Sequence, residues 1–413
     1  MVKKGFQQTE IGIIPNDWIL KKIKDFTDVT SGGTPSTFVP EYWNGEIRWM
    51  NSGEINLKKI YEVNGRITKL GLKNSSTKLI PKNCILIALA GQGKTRGTVA
   101  INHVELCINQ SLGAIIPNKS FVPEYLYHNL DSRYDEFRNL SSGGEGRGGL
   151  NLTLIKNIHI PLPISIEEQK LIAKNLNDVD QVIEKFEKLI EKKKNIKQGA
   201  MQELLTGKRR LSGFSGKWEI KKLGDCLIKK PEYGINASAV KYSDNLHVYI
   251  RITDISEDGT FIHENKTSVN HPTSDQFILE TGDIVFARTG ASTGKTYLYD
   301  PEDGKLVFAG FLIRVKTDPK KLVPEYLKIF TETRTYWNWV KKTSMRSGQA
   351  GINGTEYSEL IILTPPIKEQ IAIGEIILDI DSEIKKLEKN RDKYIMIKNG
   401  MMQKLLTGEI RLV

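Results

Sequence analysis

The strongest constraint on this chain is a stretch that it contains twice. Residues 199–211 read GAMQELLTGKRRL and residues 400–412 read GMMQKLLTGEIRL, in register at an offset of 201. Ahead of each copy the apolar residues keep that offset. Ile172, Leu176, Val179, Ile183, Phe186 and Ile190 advance by alternating steps of four and three, and Ile373, Ile377, Ile380, Ile384 and Leu387 repeat the series. Such steps make the a/d seam of a coiled coil. Each helix is expected to begin beside the proline that closes the preceding strand, Pro163 or Pro366, because a ring without an amide donor is tolerated in a first turn. Each is expected to stop at the glycine after LLT, Gly207 or Gly408, a natural C-cap. Two helices of about 40 residues and roughly 60 Å result. A helix that long cannot bury its seam alone, and packing the two copies antiparallel satisfies both. Two unrelated amphipathic helices on separate cores would leave the common register unexplained.

The repeat reaches beyond the helices. GIIPNDW at 12–18 leads into KKIKD at 21–25, and GFSGKW at 213–218 leads into KKLGD at 221–225. VPEYL occurs verbatim at 122–126 and 323–327, opening a short helix in each half. A buried apolar strand ending in a glycine turn sits in the middle of each, CILIALAG at 84–91 and DIVFARTG at 283–290. Each half closes with a Gly-rich loop and a last strand, 141–163 and 346–366. The order is therefore globular (1–163), helix (164–207), globular (208–365), helix (366–413). The expected fold class is α+β, with two pseudo-two-fold-related globular domains separated by two long antiparallel coiled-coil helices. Between the anchors the halves diverge, and SGGTPSTFVPEYWNGEIRW at 31–49 has no counterpart in the second half. Two domains that share a frame but differ inside should recognise different things.

The formal charge of +11 is unevenly placed. Residues 1–160 carry a net +6 and residues 208–365 a net +4, while the helical segments are nearly neutral. That distribution favours a polyanionic partner for both globular parts. Cys84, Cys107 and Cys226 lie in no CxxC and read as reduced core residues. The first residues form no signal-peptide run, and no stretch of 18 apolar residues follows, so a soluble cytoplasmic protein is expected.

GQGKT at 91–95 and GASTGKT at 290–296 follow buried strands and invite a nucleotide-binding reading. The P-loop GxxxxGK[ST] needs a first glycine to wrap phosphates with backbone amides, and the two positions hold Ala88 and Thr289. Both are better read as tight strand exits. His103, His128, His159, His247, His263 and His271 form no metal-ligand spacing. TPPI at 364–367 lacks both ends of an amine-methyltransferase site, and PEDGK at 301–305 reads as a polar turn rather than a nuclease carboxylate-lysine pair. No catalytic or metal site emerges. What remains are Gly-flanked polar and basic loop residues suited to DNA: Thr34, Ser36, Gln92, Lys94, Arg96 and Arg147 in the first half, and Arg288, Thr289, Lys295, Arg346 and Gln349 in the second. Arginine pairs bidentately with guanine and glutamine with adenine, whereas lysine more often meets phosphate.

Together these features resemble the specificity subunits of type I restriction-modification enzymes, over the whole chain. The resemblance rests on TEIGIIPNDW (9–18), SGGTPS (31–36), YWNGEIRW (42–49), GFSGKW (213–218), GDIVFARTGASTGK (282–295), GQAGIN (348–353), the EQ pairs at 168–169 and 369–370, and the doubled LLTG. It implies a non-catalytic chain whose two target-recognition domains each read half of a split, asymmetric sequence in double-stranded DNA. The helices would set the spacer and dock the methyltransferase subunits. Implied partners are two modification subunits, which bind S-adenosylmethionine and methylate adenine, and two restriction subunits using ATP and Mg2+. No tandem tetrapeptide repeat stands beside Leu204–Gly207, so spacer length cannot be read from a repeat count. Two readings compete. A freestanding coiled-coil scaffold would bind protein only, and an enzyme with an unrecognised site would turn over substrate by itself.

Overall fold

The computed structural model describes residues 4–91, 93–141, 149–345 and 349–412. The chain forms two compact units, 1–187 with 389–413, and 188–388. Both long helices are present, Ile166–Leu204 and Ile367–Leu405, each of 39 residues. Each unit therefore contains a stretch of both helices, an arrangement that sequential boundaries do not express.

In the first unit a five-stranded sheet runs in the order Val29–Ser31, Leu112–Ile115, Ile85–Ala88, Val99–Asn102, Lys59–Ile60. Its central strand is buried at every position because both faces are covered. Ile85 and Ile87 join Trp18, Tyr125, Ile160, Ile172 and Leu176 in one core. Leu86 and Ala88 face the other way, toward Met50, Ile60, Leu106 and Ile108. Period-two alternation thus feeds two cores from one apolar run. The second unit repeats the device. Its sheet is ordered Glu232–Tyr233, Leu312–Lys316, Asp283–Ala287, Thr296–Leu298. Ile284 and Phe286 pack with Tyr326, Ile373 and Ile377, while Val285 and Ala287 meet Ile250, Leu306 and Phe308.

The segment 31–49, unmatched in sequence, has a structural counterpart. Trp43–Met50 runs parallel to Leu106–Ile108 with Trp49 opposite Cys107, and His247–Ile250 runs parallel to Leu306–Phe308 with Ile250 opposite Phe308. Backbone pairing preserves what side-chain identity has lost, because a ladder needs only a compatible apolar face.

The helix starts differ from expectation in one case. Pro366 directly precedes the second helix, its carbonyl accepting from the amides of Glu369 and Gln370 at 2.8 and 3.0 Å. Pro163 closes its strand as expected, but the first helix opens only at Ile166, where the Ser165 hydroxyl accepts the Glu168 amide at 3.3 Å. Gly207 and Gly408 have φ of +68° and +71°, the left-handed values of a C-cap. Ile172, Leu176, Ile190, Ile373, Ile377 and Ile384 are buried; Val179, Ile183, Phe186, Ile380 and Leu387 are half-buried. The early seam positions belong to the globular cores rather than to a helix pair alone. Cys84, Cys107 and Cys226 are free and buried, and burial pushes the first two thiols up to about 12 and about 11. No helix among the described residues is long and apolar enough to cross a membrane.

His128, fully buried, lies on the short helix Pro123–Asp131 with Nε2 3.1 Å from Asn177 Oδ1. Burial pushes its pKa down to about 4 from 6.5, against the pull of Asp180. Below pH 6.5 the unfolded chain takes up a proton that the folded chain refuses. The first unit should therefore lose stability as pH falls from about 6.5 to about 4, by up to about 3 kcal/mol from this group. Ile329 holds the repeat-equivalent position in the second unit. Hydrogen exchange at pH 7, 5.5 and 4.5 should show His128→Gln flattening the acid response of residues 1–187 while that of 188–388 stays unchanged.

Candidate nucleic-acid interface

Strand register places the ends of four strands at one edge of each central sheet. In the first unit Gly113 opposes Ser31, Leu112 opposes Ala88, and Val99 opposes Ile87. The 31–36 loop, the Asn109–Leu112 turn and the 89–98 turn therefore emerge together. The loop leaves the sheet through Gly32, where an added Cβ would stand 1.8 Å from the Ile108 carbonyl oxygen, so only glycine fits. Trp49 Nε1 donates to the Gly33 carbonyl at 3.0 Å, and Thr34 Oγ1 donates to Gln110 Oε1 at 2.5 Å. Ser36 is exposed, and its carbonyl accepts from Trp43 Nε1 at 3.0 Å.

The second GKT turn is not a phosphate cradle. In the second unit the amides of Thr293, Gly294 and Lys295 donate to Gly290, Ala287 and Ser292 carbonyls within the turn, leaving no ring of free N–H groups. Carbonyls of the turns are also engaged by a helix behind them. Tyr134 OH donates to Lys94 O at 3.0 Å and Arg138 Nη1 to Gly93 O at 3.1 Å; Tyr336 OH donates to Gly294 O at 2.7 Å. These contacts hold the turns rigid while Lys94 stays exposed. Arg96 is half-buried, and its Nε is buried with no hydrogen-bond partner.

At the matching edge of the second unit, Arg288, Thr289 and Gln349 come together. Thr289 bridges Gly351, the Ile352 amide donates to the Arg288 carbonyl at 2.9 Å, and Gln349 is exposed beside Gly290. The Arg288 guanidinium lies over the Tyr233 ring, 4.8 Å from its centroid. Lys295 has its Nζ 2.5 Å from Oε1 of the exposed Glu257. Gln92, Arg147 and Arg346 lie outside the described residues.

The doubled motifs form one junction per unit, which the reading of loops and seams missed. Glu168, buried at the start of its helix, accepts from Trp18 Nε1 at 3.2 Å and from Arg411 Nε and Nη2 at 2.5 and 2.8 Å. Glu369 accepts from Trp218 Nε1 at 3.1 Å and from Arg210 at 3.0 and 2.6 Å. The neighbouring glutamines fasten VPEYL, Gln169 Oε1 accepting the Val122 amide and Gln370 Oε1 the Val323 amide, both at 2.8 Å. Along the helices, Lys398 meets Asp180 at 2.7 Å and Asp131 at 4.0 Å, and Lys197 meets Asp381 at 2.8 Å and Glu332 at 2.7 Å. Residues 131, 180 and 197 each recur at 332, 381 and 398 with the same sign of charge. Burial opposes the charge of Lys197, Asp180 and Glu332, yet their partners outweigh it. The lysine pKa is raised and both carboxylates are lowered. Within each unit the contacts run in opposite directions along the two helices (168 with 411, 180 with 398; 197 with 381, 210 with 369), so the helices are antiparallel there.

Among the described residues no group of three or more His, Cys, Asp or Glu is arranged to hold a metal ion.

A family model described as "Type I restriction modification DNA specificity domain" matches residues 15–198 and again 215–395. The MjaIX specificity subunit of a type I restriction enzyme from Methanocaldococcus jannaschii is 34% identical over 282 residues, 63% of this chain and 64% of that protein. From the same organism, the putative MjaX specificity subunit is 25% identical over 99% of this chain and 97% of its own. The crystal structure of a type I restriction-modification S subunit from M. genitalium superposes with a TM-score of 0.62 at 16% identity, covering 98% of this chain and 97% of that one.

Proposed function

Since the chain belongs to the type I restriction modification DNA specificity family, we propose that it is the DNA-reading subunit of a type I restriction-modification complex. Each globular part reads one half of a bipartite, asymmetric target. The observation that carries this reading is the paired sheet edges, two repeat-equivalent sites where rigid turns hold polar and basic side chains at the surface. Thr34, Ser36, Lys94 and Arg96 serve one half-site, and Arg288, Thr289, Lys295 and Gln349 the other, with Gln92, Arg147 and Arg346 as further contacts. The long helices set the spacer between half-sites and dock two modification subunits, and two restriction subunits complete the assembly. S-adenosylmethionine, ATP and Mg2+ belong to those partners, and the chain itself acts in the cytoplasm without catalysing a reaction.

The test is the methylome of the source cell. A split adenine-methylation motif with two unlike halves is expected, and it should vanish when this gene is deleted. An unchanged methylome, with no salt-dependent retention of duplex DNA by the complex, would leave the protein-only scaffold reading in place.

A further inference from the structure

Arg288 occupies a position that its repeat equivalent does not share. The Arg288 amide donates to Phe311 O at 3.0 Å and its carbonyl accepts from Ile352 N at 2.9 Å; at the same ladder position of the first unit, the Leu89 amide donates to Ser111 O at 2.8 Å and its carbonyl accepts from Leu150 N at 3.0 Å. Leu89 is buried in the first unit's core. Arg288 instead turns its guanidinium onto Tyr233, 4.8 Å from the ring centroid. The ring is itself tethered, since the Gly354 amide donates to its hydroxyl at 3.1 Å. Tyr233 enters this position at the end of a strand paired with Ile313. Gly234 follows it, where an added Cβ would come within 2.3 Å of the Ala309 carbonyl oxygen, so the backbone there has little room to shift.

The Arg288 guanidinium has no carboxylate or other hydrogen-bond partner among the described residues, and its Nε is buried and unpaired. A buried side-chain nitrogen is ordinarily hydrogen-bonded. A planar fork of donors, seated over an aromatic ring and left without an acceptor, is built for a planar ligand edge bearing two acceptors. In the major groove that edge is guanine, through O6 and N7.

We propose that Arg288 reads a guanine in the half-site of the 188–388 unit, and that Tyr233 is the positioning residue that sets the plane of its guanidinium. The inference rests on the DNA-reading function proposed above. It adds an asymmetry: because Leu89 stands at the equivalent place, the first unit has no such guanine contact there, and its half-site is read from Thr34, Ser36, Lys94 and Arg96. A second acceptor chemistry, a backbone phosphate, would also take an arginine, and the two sources differ in their consequences for sequence.

The experiment is selection of bound duplexes from a randomised pool by the full chain in complex with its modification subunits, for wild type, R288A, R288K, Y233L and Y233F. Wild type is expected to select a bipartite motif with a guanine in one half-site. R288A and R288K should both make that position degenerate, with discrimination against the other bases falling roughly 5- to 150-fold, because lysine cannot reproduce the bidentate fork. Y233L should relax the same position, and Y233F, which keeps the ring, should retain most of the selectivity. The other half-site should be unchanged throughout. If R288A binds every duplex more weakly with its motif intact, and R288K restores binding, Arg288 meets phosphate and the proposal is overturned. If wild type selects no motif, the DNA-reading function fails and takes this inference with it. If wild type selects a motif that all four variants keep, only the inference fails.

Discussion

Glu369→Ala is expected to destabilise residues 188–388 by about 3 kcal/mol, the lower part of the range for removing one partner of a buried ion pair. Glu369 is fully buried, and three donors converge on its carboxylate: two from Arg210 and one from Trp218. Arg210 keeps 28% of its side-chain exposure, so the stranded cation regains some hydration, which limits the loss. Glu369→Gln keeps an acceptor for the indole but not the charge, and should cost less than alanine. Urea denaturation, with hydrogen exchange to assign the loss to residues, measures both. Glu168→Ala should act alike on the other unit, where Arg411 also pairs with Asp17. Unfolding curves that match wild type in both alanine variants would show that these clasps do not hold the helix ends.

The larger effect is on specificity. Exchanging residues 212–364 for the same region of a relative should replace one half-site completely and leave the other intact. The correct half-site would then be bound no better than unrelated DNA by the exchanged unit, a loss on the order of 1,000-fold or more in discrimination. The downstream boundary matters. Glu219–Lys222 pairs with Ile361–Thr364, so ending the exchange before Thr364 would splice two unlike strands into one ladder. Binding-site selection with the exchanged chain reads the outcome, and a change in both half-sites would show that the two units do not read independently.

Much of this architecture was legible because it is written twice. The 201-residue offset marked the helices, their glycine stops and the VPEYL helices, and all three features depend on local periodicity or on one special backbone conformation. The charged triads also kept the offset, as Asp180 with Asp381 and Lys197 with Lys398, and a comparison of charged positions between the halves would have found them. What hid them was their setting. A lysine or aspartate on a long amphipathic helix ordinarily lies on its solvated face, and nothing in the neighbouring sequence says that Asp131 or Glu332 will be brought to meet it.

The interface was legible in outline only. Glycine turns after buried strands located Arg288 and Lys94, yet sequence could not tell Lys295, which pairs with Glu257 across 38 positions, from Arg288, whose Nε is buried without a partner. The structural match between Trp43–Met50 and His247–Ile250 was likewise invisible, since parallel pairing is specified by backbone and burial rather than by identity.

By itself, then, the sequence determined the repeat, the two long helices with their ends, and the excess of positive charge in the globular parts, because each of these follows from spacing or composition along the chain. Tertiary structure alone decided which charges are already spent on one another, which face of each apolar strand enters which core, and that Tyr233 lies under Arg288. Those outcomes depend on contacts between residues tens to hundreds of positions apart, whose pairing is set by the closing of the fold and not by any local pattern.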